Sequence, residues 1–196
     1  IYANNITANS VTANVTISSL RLANISFRFN NGNGVMMLHN NILYSGHAGQ
    51  GFLNAYPGRG NVVPSQLGLD NMKAINVPNE TTATIIDYGF MGIQDNFCLF
   101  SNGNLYTWGY NNWGECGTGD TSTRWIPTLV ATNVTNAYGS WRFAYSNASK
   151  FIIKKTDGYL YATGYNGYGQ LGVGDTSNRS TFTQITSLGN SILNVW

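Results

Sequence analysis

The stretch 103–122, GNLYTWGYNNWGECGTGDTS, returns 55 positions later at 158–177 as GYLYATGYNGYGQLGVGDTS. A repeat at this spacing, rich in glycine and aromatic residues, is the mark of stacked or radially arranged β units, each unable to bury its apolar face alone. A fainter copy lies upstream: Ile42 through Gly51 superposes on Leu105 through Gly114 with a shift of 63. Three units follow from this, about 25–79, 80–132 and 133–189. The closing Ile192-Leu193-Asn194-Val195-Trp196 echoes Val134-Thr135-Asn136-Ala137-Tyr138, as though a fourth unit were beginning.

Within the third unit, short apolar or alternating runs bounded by Asn, Asp and Gly predict four strands, roughly 136–145, 150–155, 160–164 and 181–186. Thr156-Asp157-Gly158 joins the second to the third as a tight hairpin, and Ser101-Asn102-Gly103 does the same one unit earlier. The glycines Gly109, Gly114, Gly117 and Gly119 recur as Gly164, Gly169, Gly172 and Gly174. They read as turn positions with positive φ and as places where backbones approach closely. A phosphate-cradling loop is the rival, but no Gly-Lys-Ser/Thr follows and no helix pattern opens there. Asp120 and Asp175 recur in register after Gly-x-Gly, where an Asx turn explains them more simply than calcium, since each stands without a second acid beside it. Cys98 and Cys116 fall opposite Ile153 and Leu171 of the next copy, which makes them buried thiols rather than a bridge.

The run Leu-Tyr-x-x-Gly-Tyr-Asn-x-x-Gly-Gln-Leu-Gly-x-Gly-Asp, from Leu160 to Asp175, resembles the repeat of the regulator of chromosome condensation family. The preceding copy keeps it with Leu105, Tyr106, Trp108, Gly109, Asn111, Gly114, Gly117, Gly119 and Asp120, and adds Pro127 after the glycine loop. That resemblance covers about 120 residues and implies a β-propeller, seven-bladed in the family. The family's Gly-x-x-His signature is missing, because neither 88–96 nor 138–148 contains histidine, so its nucleotide-exchange activity does not carry over. About three units fall short of even a minimal four-bladed ring. The expected fold is therefore all-β: a partial β-propeller of about three four-stranded blades, read as part of a longer polypeptide.

Residues 1–25 are of a different kind. A five-residue period, ITANS then VTANV, leads into alternating apolar positions with no charge before Arg21. Such a thin β segment needs partner chains to cover it and resembles the shaft of a trimeric bacteriophage fibre. The domain reading is thus a shaft or oligomerisation segment at 1–25 followed by propeller-like repeats over 26–196.

Composition narrows the function. Only 9% of residues are charged and the net charge is +2 with no Lys or Arg cluster, which removes the electrostatic footprint for nucleic acid. No apolar run approaches the roughly 18 residues of a membrane-spanning helix. Two histidines, His39 and His47, and the absence of Cys-x-x-Cys, His-Glu-x-x-His or a nucleophile elbow leave no catalytic or metal constellation. Seven Asn-x-Ser/Thr sequons are the product of an Asn-rich composition. The expectation is a non-enzymatic virion surface protein without cofactor or metal: a phage tail fibre or receptor-binding component, homo-oligomeric with a trimer favoured, touching other virion proteins and a host glycan or protein. A secreted protein-binding scaffold or inhibitor is the alternative, and a small-GTPase regulator the weaker one. Tyr110, Asn111, Trp113, Tyr165, Asn166 and Tyr168 are the candidate glycan contacts, offering stacking faces beside amide donors, unless the aromatics pack between blades.

Overall fold

The computed structural model describes residues 25–29, 34–47, 73–92, 95–139 and 150–192. These form twelve strands in three four-stranded antiparallel meanders. The first sheet comprises β1 (Ile25–Phe29), β2 (Gly34–His39), β3 (Ile42–His47) and β4 (Lys73–Ala74). The second comprises β5 (Ile85–Phe90), β6 (Asp95–Phe100), β7 (Leu105–Gly109) and β8 (Arg124–Ala131). The third comprises β9 (Val134–Gly139), β10 (Lys150–Lys155), β11 (Leu160–Gly164) and β12 (Arg179–Gln184), with a short 3-10 turn at Thr186–Leu188. The expected all-β blades are present, and the shaft-like lead lies outside the described residues except for its last residue, Ile25, which opens β1.

Alternation along the strands decides how the sheets stack. On the second sheet, Cys98, Phe100, Tyr106 and Trp108 meet Met36, Leu43 and Ile75 of the first side of the molecule. The alternate residues Phe97, Leu99 and Leu105 meet Phe151 and Ile153 of the third sheet. All six residues of β6 are consequently buried, whereas in β10 only Phe151 and Ile153 are. Burying one such Leu, Ile or Phe contributes roughly 1.5–3 kcal/mol before chain entropy is subtracted. The first strands β1, β5 and β9 are neighbours across the sheets, as blades arranged around a common centre require. Cys98 and Cys116 are both buried free thiols.

The hairpins match the expected positions but differ in detail. At 155–158, Gly158 N donates to Lys155 O (2.9 Å), and only Gly158 has positive φ, Asp157 remaining on the ordinary side. This is a type I turn closed by a left-handed residue, not a two-residue turn with both φ positive. That two-residue form occurs instead in the first sheet, where Asn40 (φ 48°) and Asn41 (φ 62°) join β2 to β3. The shorter turn displaces the first unit's alignment by one residue: Leu43, not Ile42, is the counterpart of Leu105 and Leu160. Leu43 is buried while Ile42 is 45% exposed, and Ile75 N donates to Leu43 O (2.7 Å) as Ile185 N does to Leu160 O (2.8 Å). The predicted outer strand of the third unit also begins two residues earlier, at Arg179. Its predicted first strand is observed over Val134–Gly139, its continuation to 145 lying outside the described residues.

Candidate functional site

The two glycine loops, 110–123 and 165–178, follow the third strand of their sheets and sit at the seam between blades. Each is organised around one asparagine. Asn111 is fully buried; its Nδ2 donates to Asp120 O (3.1 Å), Ser122 O (2.9 Å) and Thr118 Oγ1 (3.1 Å), and its Oδ1 accepts from Cys116 N (2.9 Å). Asn166 repeats this with Asp175 O (2.8 Å), Ser177 O (3.0 Å) and Leu171 N (2.9 Å), and is likewise fully buried. Both amides satisfy loop backbone that has no ladder partner, since buried polar backbone must be bonded somewhere. Asn111 and Asn166 are therefore corrected from glycan contacts to loop hubs: their amide groups are spent inward.

Asp120 and Asp175 make the expected Asx turns, accepting from Ser122 N (3.0 Å) and Ser177 N (2.9 Å). Each also pairs with an arginine four residues on, Asp120 with Arg124 (2.7 Å) and Asp175 with Arg179 (2.6 Å). Hydrogen bonds from these guanidinium groups hold both carboxyls below the usual carboxylate range. Sequence reasoning missed the arginines although they recur at the same spacing of 55. No group of three or more metal-ligating side chains occurs among the described residues.

Glycine is obligatory where the second blade's loop meets the third blade. Gly114 (φ 80°) lies so near β12 that a Cβ would stand 2.5 Å from Ser180 Cα, and a Cβ on Gly117 (φ 72°) would meet the Phe182 ring at 2.7 Å. Thr163 Oγ1 donates to Gly114 O (2.8 Å), and Gly119 N to Ser180 O (2.7 Å). The loop is thus shaped by the blade beside it.

The aromatic candidates divide. Trp113 and Tyr168 occupy equivalent loop tips, their backbone N–H groups donating to Glu115 Oε2 (2.6 Å) and Gln170 Oε1 (2.9 Å). Tyr165 stands between them, its ring 5.0 Å edge-on from Trp113 and 6.0 Å from Tyr168. The three form one row across the seam, with Trp113 36% and Tyr168 87% exposed. Tyr110 is half-buried, its N–H donating to Asp95 Oδ1 (2.7 Å) and its carbonyl accepting from Thr123 Oγ1 (3.0 Å).

Beneath this row lies a feature the sequence does not announce. Asp95 and Glu115, twenty positions apart, are both buried and in contact. Burial first, and the neighbouring Asp95 second, push the Glu115 carboxyl up to about 8. Asp95 Oδ1 also accepts from Asn111 N (3.2 Å), which favours the ionised form on Asp95 and the proton on Glu115. In the third blade Lys150 and Gln170 occupy the corresponding positions, and Asn178 Oδ1 takes over the bond to Asn166 N (2.8 Å).

Residues 102–144 and 157–195 match the regulator of chromosome condensation (RCC1) repeat. The X-linked retinitis pigmentosa GTPase regulator of Canis lupus familiaris is 40% identical over 95 residues, 48% of this chain and 9% of that protein. The ultraviolet-B receptor UVR8 of Arabidopsis thaliana is 28% identical over 135 residues, 65% of this chain and 29% of that one. Among solved structures, human WBSCR16 superposes with a TM-score of 0.58 at 17% identity, over 78% of this chain and 37% of its own. Prp20p of Saccharomyces cerevisiae, described with its binding to Gsp1p and histones, superposes at 0.55 and 18% identity over 78% and 36%. The chain spans less than a third of these two sequence relatives. The three four-stranded sheets are a partial β-propeller of the RCC1-like kind.

Proposed function

We propose that the chain is a non-catalytic binding protein whose propeller blades present their loop edge to a ligand, and that this ligand is a glycan on a host surface. The observation that carries the reading is the aromatic row Trp113–Tyr165–Tyr168, which crosses the seam with two of its three rings open to solvent. Aromatic faces in a nearly uncharged surface suit sugar rings, whose C–H faces stack on π systems and whose binding needs no ion pair. A virion fibre or other extracellular setting fits the low charge and the shaft-like lead at 1–25. A glycan array probed with the chain and with Trp113→Ala tests it: binding by the first, lost in a folded second, is the expected result. No binding by either, or loss of fold in Trp113→Ala, overturns it. Mass photometry tests the fibre setting, which expects a trimer and is refuted by a monomer.

A second reading, a protein-binding scaffold, is favoured by the likeness to Prp20p, which is described with protein partners. It predicts a stoichiometric protein complex that free sugars do not disturb. No helix among the described residues is long and apolar enough to cross a membrane.

A further inference from the structure

The two glycine loops are built alike but are not equally filled. In the second blade the loop grips β12: Gly114 O accepts from Thr163, Gly119 N donates to Ser180 O, the Gly114 and Gly117 hollows receive Ser180 and Phe182, and Trp113 meets the Tyr165 ring. The third blade's loop repeats the hub asparagine, the Asp–Arg pair and the backbone twist, with φ of 74°, 69° and 92° at Gly169, Gly172 and Gly174 against 80°, 72° and 92° at their counterparts. Yet around Gly169 the nearest atom is Asp175 O at 3.8 Å, around Gly172 only Ile185 at 3.6 Å, and around Gly174 nothing within 4 Å. Tyr168 is 87% exposed where its counterpart Trp113 is 36%.

The sheet face beside this loop is apolar as well. Ile152, Val173 and Ile192 lie partly open around the buried Leu160, Ala162, Leu171 and Ile185. Ile192 packs on this cluster as Val134, the start of β9, packs on the cluster between the second and third blades. Lys154 Nζ donates to Ile192 O, so the one cation on this face is satisfied by the strand entry itself.

We propose that this face is a preformed seat for a further blade of the same repeat kind, entered by the same chain at Ile192. The filled loop specifies the occupant: a hydroxyl residue at the place of Thr163 to donate to Gly169 O, a small residue at the place of Ser180, and aromatics at the places of Phe182 and Tyr165. The seat rests on the reading of these sheets as propeller blades, not on glycan binding. Since Trp113 keeps an open edge beneath Tyr165, a seated blade lengthens the aromatic row rather than hiding it.

The test lengthens the chain by repeating residues 134–192 after Ser191, so that a second Val134 stands where Ile192 did. The lengthened chain is expected to melt in one transition about 5 °C or more above the 196-residue chain, because repeat stability grows with each matched interface. Gly169→Ala costs both chains through its positive φ, but in the lengthened chain its Cβ meets the seated strand and removes the gain in melting temperature. An unchanged melting temperature, a separate transition for the added unit, or an equal Gly169→Ala shift in both chains overturns the proposal. So does sedimentation showing that the 196-residue chain dimerises and that Gly169→Ala dissolves the dimer, which gives the seat to a second copy. Far-ultraviolet circular dichroism separates the failures: β signal gained in proportion to the added residues without a rise in melting temperature refutes the seat and leaves the blade reading standing.

Discussion

Replacing Glu115 by Gln isolates the buried acid pair. Glu115 titrates at about 8 in the folded chain, against an ordinary value of 4.5, because it is buried beside Asp95. A carboxyl whose folded value is raised binds its proton more tightly when folded. Its contribution is therefore fully present below about pH 4.5 and is lost as pH rises towards 8. At 1.36 kcal/mol for each pH unit between these limits, the loss is on the order of 3–5 kcal/mol. Gln at 115 mimics the protonated acid, and the third blade already uses Gln170 to accept the equivalent backbone N–H. Urea unfolding of both proteins at pH 4.5, 6, 7.5 and 8.5 is the assay. The two free energies should agree at the acid end and diverge steadily, with Glu115→Gln the more stable above neutrality. Other carboxylates cancel in the difference between the two proteins. Curves that stay parallel from pH 4.5 to 8.5 refute the shared-proton account.

Three further outcomes follow from the loops and the core. Gly114→Ala should cost more than about 3 kcal/mol, since its Cβ meets backbone, whereas Gly174→Ala, with equal strain but open space, should cost about 1–2 kcal/mol in urea unfolding. Asn166→Ala leaves the amide of Leu171 and the carbonyls of Asp175 and Ser177 unbonded, and should cost about 2–4 kcal/mol with loss of amide-exchange protection at Leu171. Burial pushes both Cys98 and Cys116 thiols up, so Ellman's reagent at pH 7 should label neither until urea unfolds the chain.

The repeat made the blades legible because equivalence between copies is a property of residue type and spacing, which strands with two-residue alternation preserve. It also located both glycine loops and the Asx turns at Asp120 and Asp175. Direction was not legible. Asn111 and Asn166 have the same composition whether they reach out to a sugar or in to their own backbone, and only the closure of the loop decides. The Arg124 and Arg179 partners recur visibly at the same spacing, but a pair four residues apart is expected on a helix, not across an Asx turn. Asp95 and Glu115 come from different elements and meet only because β6 and the loop after β7 converge. The one-residue slip at Leu43 depends on a turn with two left-handed asparagines, which Asn40-Asn41 permits without compelling.

The bond from Thr163 to Gly114 spans 49 positions and completes a loop with residues of the following unit. On a ribosome, the second blade's loop is therefore left unfinished until β11 and β12 have emerged. Each blade hands its predecessor the last pieces of structure it needs, so assembly proceeds with a lag of one unit. A pause in synthesis between β9 and β12 would hold the chain with an incomplete edge and the Phe97–Leu99 face bare, the interval in which a chaperone or a misplaced strand has access to it.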